Sequence, residues 1–177
     1  MFVCAGESEQ FDFAKPVGIG LMDVAINLTK LCKEQKPEFL HFVGSAGSYG
    51  SYQIFDIVTS SRACNIENSL FNARAYSPIE NSVSCETIDN EIIINSSNYI
   101  TTDSSLGKAY EARNIYLENM EFYAVAKVAK AFGIPIQGTF IVTNYCDSNA
   151  HEDFLKHHQE AMIRLTKYIS ETHHAES

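Results

Sequence analysis

Residues 119–147 read NMEFYAVAKVAKAFGIPIQGTFIVTNYCD, and the fold is decided here. The stretch opens with Asn119-Met120-Glu121 and continues as a helical pattern that Gly133-Ile134-Pro135 breaks. The apolar run Ile136 to Val142 then fits a buried strand, which ends in Asn144-Tyr145-Cys146-Asp147. In such an α-then-β unit the strand returns antiparallel to the helix, so helix start and strand end share one sheet edge. The order of elements therefore brings Glu121 and Asp147 to one crevice.

The same alternation extends on both sides. Met1 to Ala5 reads as a buried first strand, with polar Gly6 to Gln10 at its carboxyl end. Gly18-Ile19-Gly20 leads into a helix with Leu21, Ala25, Leu28 and Cys32 on one face, and Pro37 stops it. Phe39 to Val43 is a strand running into Gly44-Ser45-Ala46-Gly47, and Ile54 to Thr59 is another. Residues 63–89 are rich in Asn and Ser and predict loops with one short strand. Glu91 to Asn95 predicts a strand, Ser104 to Arg113 a short helix and Ile115 to Leu117 a strand. In the Met120 helix, Met120, Ala124, Val128 and Ala131 form one face. Phe154, His158, Met162, Leu165 and Ile169 form the stripe of a long last helix, with fraying expected after Glu171. Strands alternating with helices predict an α/β fold, and polar residues follow the strands, where such sheets bind ligands.

Composition narrows the function. The 177 residues fit one domain over 1–177, with 45% hydrophobic and 20% charged residues, as in globular proteins. A formal net charge of -9 opposes nucleic-acid or anionic-membrane binding, but leaves an anionic small molecule possible as substrate. Cys4, Cys32, Cys64, Cys85 and Cys146 are odd in number and without C-x-x-C spacing, which predicts reduced thiols. Glu7 and Glu9 directly follow Met1 to Ala5, unlike a signal peptide, and no run reaches membrane-spanning length. The expected location is cytoplasmic.

Gly44-Ser45-Ala46-Gly47 lets backbone approach a ligand and offers amide and hydroxyl donors, though a tight turn between strands uses the same residues. No Lys-Ser or Lys-Thr follows, so it is not a P-loop. Glu7, Glu9 and Asp12 read as either a solvated acidic loop or a source of one catalytic carboxylate. His151, His157, His158, His173 and His174 lack the spacing of a zinc motif, so no metal is expected.

Phe42-Val43-Gly44-Ser45-Ala46-Gly47, Phe55-Asp56-Ile57-Val58, Asn119-Met120-Glu121, and Gly133-Ile134-Pro135 leading to Asp147 together resemble the nucleoside phosphorylase and nucleosidase superfamily. The chain is most similar to its methylthioadenosine/S-adenosylhomocysteine nucleosidases, with the motifs in the same order from first strand to last helix. The resemblance implies a three-layer-like α/β fold: a central mixed twisted β-sheet or partial barrel flanked by helices. It implies cleavage of the N-ribosyl bond of a purine nucleoside. Hydrolysis is the leading reading, phosphorolysis the alternative, and a non-catalytic nucleoside- or partner-binding relative the third. It also implies a homodimer or higher homo-oligomer and no cofactor, with inorganic phosphate as co-substrate in the phosphorolytic case.

Carried over by position, the resemblance makes Glu9 the carboxylate that activates water and places Ser45 and Gly47 beside the ribose. Tyr99 and Ile100 match a pair that holds the purine. Met120 and Glu121 match a pair under the ribose, and Asp147 matches the acid that hydrogen-bonds the base. These roles suit the chemistry, because breaking the bond leaves a purine anion and a sugar of oxocarbenium character. Asp147 would protonate N7 from a water-poor pocket behind Tyr145 and Cys146, a contribution of typically about 10²- to 10⁴-fold. Glu121 would offset the positive charge growing on the ribose.

The sequence departs from the family pattern in four places. The chain is shorter, with the gap falling between Gln10 and Pro16, which predicts a trimmed barrel and a site left open or completed by a partner subunit. Phe55 stands where Gly precedes Asp-Ile-Val, and Thr143 where the nucleosidases commonly have Arg. His41 and Phe42 precede the glycine-rich segment where phosphorylases carry a phosphate-binding Arg, which favours water as nucleophile.

Overall fold

A computed structural model describes residues 1–84 and 92–174. Residues 119–147 form the predicted unit: β8 (Ile115–Asn119), α3 (Phe122–Phe132) and β9 (Ile136–Tyr145). Gly133 adopts φ 68° and closes α3, its amide donating to Lys130 O and that of Ile134 to Ala129 O at 2.9 Å. Pro135 then prevents continuation. The buried residues of α3 are Phe122, Ala124, Val125, Ala126, Val128 and Ala129, whereas Ala131 is exposed and Met120 precedes the helix. The predicted Met120–Ala131 stripe is too narrow because α3 is wedged between helix α1 (Gly20–Gln35) and the strands β5 (Arg62–Cys64), β6 (Ser82–Ser84) and β7 (Ile93–Ser96).

The sheet is mixed. Its order is β2 (Lys15–Pro16), β1 (Phe2–Cys4), β3 (Leu40–Ser48), β8, β7, β5, β6. On the other side of β3 lies β9, which also pairs with β4 (Ile57–Ser60). β3 is the hub: parallel β9 follows its full length on one edge. Its other edge is shared, with parallel β1 pairing as far as Phe42 and antiparallel β8 starting at Gly47. Gly44, Ser45 and Ala46 face the gap between those two strands.

Helices cover both faces. Val24, Leu28 and Cys32 of α1 join Phe42, Phe122, Val125 and Phe140 in one core. Ala161, Leu165 and Ile169 of α4 (Ala150–His174) join Cys4, Phe11, Val43 and Ile141 in another. The architecture is thus the expected α/β arrangement of a curled mixed sheet between helices. The short helix α2 (Gly107–Glu111), preceded by a 3-10 turn at Ser104–Leu106, packs on β8.

Several boundaries move. The glycine-rich segment is not a turn: β3 continues through it to Ser48 with a bulge at Ala46/Gly47, because β9 supplies backbone partners throughout. The strand foreseen at Ile54 starts at Ile57, after Phe55 takes a left-handed φ of 72°. Residues 63–84 hold β6, a 3-10 turn and most of β5, while residues 85–91 of the predicted loop and strand, with Cys85, lie outside the described residues. Between Gln10 and Pro16 a tight turn, closed by the Ala14 amide on Phe11 O, leads into the two-residue β2. The last helix persists to His174, and the end of the expected frayed tail, 175–177, lies outside the described residues.

Candidate active site

The gap on β3 is where a cleft forms. Ser45 has no strand opposite its amide on that edge, and a side chain takes the place: Glu9 Oε2 accepts from Ser45 N at 3.2 Å, and Ser45 Oγ donates to Glu9 Oε1. The chain presents Glu9 through a turn closed by Glu9 N on Gly6 O at 2.9 Å, with positive φ at Gly6 and Glu7. Gly44 is required for this contact, since a Cβ there would lie 2.8 Å from Glu9 Oε2. Gly47 similarly makes room for the end of β9 and the residue after it, since a Cβ would lie 2.9 Å from Asn144 Nδ2 and 3.0 Å from Cys146 Sγ.

Glu121 reaches the cleft from the turn between β8 and α3. Asn119 Oδ1 accepts from Phe122 N at 3.2 Å and from Glu121 N at 3.3 Å, and Ser96 Oγ accepts from Tyr123 N at 2.9 Å. These bonds satisfy the first amides of α3, so the Glu121 side chain is not spent on its own helix. Its Oε1 accepts from Gly20 N at the head of α1 at 3.0 Å, and its Oε2 from Met120 N at 3.1 Å. Burial, then the nearby Glu9 charge, push its carboxyl up to about 7. Burial also raises Glu9, opposed by its bonds from Ser45 and by the charge of His158.

The cleft has a volume of about 310 Å³ and is walled by Glu9, Ser45, Gly47, Tyr99, Ile100, Met120 and Glu121. Seven of the eight residues singled out from sequence therefore meet in one place. Tyr99 and Ile100 stand at the mouth, 77% and 52% exposed. Asp147 is the exception. It is half-buried next to the cleft, between the lining residues Asn144 and Ala150, and its Oδ1 accepts from Asn149 N at 2.8 Å in the approach to α4. The crevice foreseen for Glu121 and Asp147 thus takes in Glu121, with Asp147 engaged in a local turn.

Sequence reasoning missed Glu118, Asn144, His151 and Phe154, which also line the cleft. Glu118 is buried and holds three bonds: Tyr49 Oη at 2.7 Å, Thr101 N at 2.8 Å and Thr101 Oγ1 at 2.7 Å. A carboxylate directly after the Ile115-Tyr116-Leu117 run, two residues before Met120, was the available signal. Among the described residues no cluster of three or more His, Cys, Asp or Glu is arranged to hold a metal ion.

The protein is thus of the α/β class, with a mixed sheet and an acid-lined, largely apolar cleft beside its central strand. The model of the Phosphorylase superfamily matches residues 13–172, and the chain belongs to that family. No match is found among curated proteins. Among solved structures it is similar to a Helicobacter pylori MTAN mutant with 5'-methylthioadenosine in its active site, at TM-score 0.77 and 15% identity over 96% of this chain and 95% of that one. It is also similar to a Helicobacter pylori futalosine hydrolase mutant, at TM-score 0.76 and 15% identity over 96% and 95%. A Streptococcus pneumoniae MTA/SAH nucleosidase in complex with 8-aminoadenine matches at TM-score 0.75 and 14% identity over 95% of each chain.

Proposed function

We propose that this protein hydrolyses the N-ribosyl bond of a purine nucleoside in this cleft. The observation that carries the reading is the meeting of Glu9, Ser45, Met120 and Glu121 in one cleft, with the apolar Tyr99, Ile100 and Phe154 also lining it. Water attacks C1′ as the bond to the base breaks, and Glu9 takes the water's proton. Glu121, anchored by two backbone amides, accepts the ribose hydroxyls with its remaining lone pairs and opposes the charge of the oxocarbenium ion. The departing base takes its proton at N7 from Asp147, which must leave its bond to Asn149 to reach the cleft.

Hydrolysis is preferred to phosphorolysis because the lining residues include three carboxylates, Glu9, Glu118 and Glu121, and neither Lys nor Arg. A phosphate dianion would be repelled there. The test is purine release from methylthioadenosine, adenosine, inosine and futalosine-like nucleosides in phosphate-free buffer. Free ribose product supports hydrolysis; release that requires phosphate and yields ribose 1-phosphate supports the phosphorylase instead. The position of Asp147 favours a second reading, a nucleoside-binding relative without turnover. In that case no substrate is cleaved and Asp147→Asn leaves purine-nucleoside affinity unchanged.

A further inference from the structure

Strand pairing, not local sequence, brings Glu118 and Asn144 to the cleft. Gly47 of β3 pairs with Glu118 on one side and Asn144 on the other, so the three stand abreast across β8, β3 and β9. The bulge selects Asn144: Ala46 pairs with Val142, and an unbroken register would set Thr143 beside Gly47 instead. Gly47 has no side chain to separate its neighbours. The point where its Cβ would stand lies 2.9 Å from Asn144 Nδ2 and 3.6 Å from Glu118 Cγ. A carboxyl and an amide, both buried, therefore sit side by side and line the cleft.

Both groups are fixed, and both keep hydrogen-bonding capacity. Tyr49 Oη and Thr101 Oγ1 donate to Glu118 Oε2, whereas Oε1 accepts a single backbone bond, from Thr101 N. The neutral Cys146 thiol adds only a weak donor to this carboxyl. Thr143 Oγ1 donates to Asn144 Oδ1 at 2.9 Å, and Asn144 Nδ2 spends one N–H on Tyr145 O at 3.0 Å. Its second N–H has no acceptor among the described residues. Thr101 directly follows Tyr99 and Ile100, the pair matched to the purine. A few polar groups of this kind in a largely apolar cleft fix a ligand's orientation.

Resting on the nucleosidase reading, we infer that Glu118 and Asn144 form a base-reading pair that selects a purine whose six-membered ring carries an N–H donor beside an acceptor. Glu118 accepts from the N–H, and Asn144 Nδ2 donates to the acceptor. A 6-aminopurine offers its amino N–H and N1, and a 6-oxopurine offers N1–H and O6. Unsubstituted purine keeps N1 but has no N–H on that edge, so Glu118 gains no partner from it.

The test is calorimetric titration of the wild type with adenine, hypoxanthine and unsubstituted purine. Adenine or hypoxanthine is expected to bind about tenfold more tightly than purine, and the tighter of the two tells 6-amino from 6-oxo. Equal affinities for all three, or no binding of any, overturn the inference. In Glu118→Gln a neutral acceptor of roughly half the strength replaces the carboxylate, so the preference is expected to fall to about threefold with the affinity for purine unchanged. An unchanged preference, or equal weakening of all three bases, makes Glu118 structural only and overturns the proposal. Asn144→Asp, which exchanges the donor for an acceptor, is expected to weaken all three, and unaltered affinities sink the pair. Should a variant not fold, the wild-type comparison still decides. Base binding with this preference but no purine release from nucleosides counts against the nucleosidase reading alone.

Discussion

Glu121 shows how one side chain couples stability to function. Its folded-state carboxyl lies at about 7 against an ordinary 4.5, so the folded protein binds more protons than the unfolded chain between those values. Its contribution is therefore fully present below about 4.5 and lost as pH rises through about 7. The order of magnitude is about 3 kcal/mol, shared with the coupled Glu9. Glu121→Gln is expected to unfold at higher temperature than wild type at pH 8, with the difference closing toward pH 5, while purine release is lost. Thermal melts across that range check the sign. Phe55 carries strain of another kind, with φ 72° at a position where the resembling family has Gly. Arg164 lies 4.2 Å from its ring centroid and His157 meets it edge-on, contacts that offset the backbone cost. Replacing the ring removes those contacts in both Ala and Gly variants, so their difference isolates the backbone. Phe55→Gly is expected to be about 1 kcal/mol more stable than Phe55→Ala in urea unfolding.

The elements differ in how legible they were. α3 and β9 were readable because Gly133 and Pro135 punctuate them by local geometry. The fate of Gly44 to Gly47 was not, because small residues suit a turn and a close-packed strand equally well; the pairing with β9 chose the strand. The same limit applies to α3, whose buried face widened because α1 and the sheet cover it from two sides. The start of α3 depends on Asn119, which accepts from Glu121 N and Phe122 N and from Ser96 Oγ at 2.8 Å. Asn119→Ala is expected to cost about 1–2 kcal/mol in chemical denaturation, and to raise KM because the Glu121 turn loosens.

At the scale of the whole molecule the cleft is open at Tyr99 and Ile100, and Ile19, Met22 and Ile26 are exposed at the start of α1. The homodimer implied by the family resemblance would cover such apolar surface. Sedimentation is expected to give a mass twice that of the chain, and Met22→Glu with Ile26→Glu to shift it toward one copy; a wild-type monomer at micromolar concentration would count against the dimer.

The sequence by itself determined what local chemistry encodes: the alternation of strands and helices, the stops at Pro37 and Gly133, and the ordered motifs that gather Glu9, Ser45, Tyr99, Met120 and Glu121. Tertiary structure alone decided which groups face one another. The gap along β3 between β1 and β8 seats Glu9 on Ser45, the head of α1 gives its Gly20 amide to Glu121, and α4 brings His151 and Phe154 to the cleft. The physical reason is distance along the chain. Turns, caps and periodicity act between neighbouring residues, whereas burial and the fields of remote charges exist only once those residues are packed together.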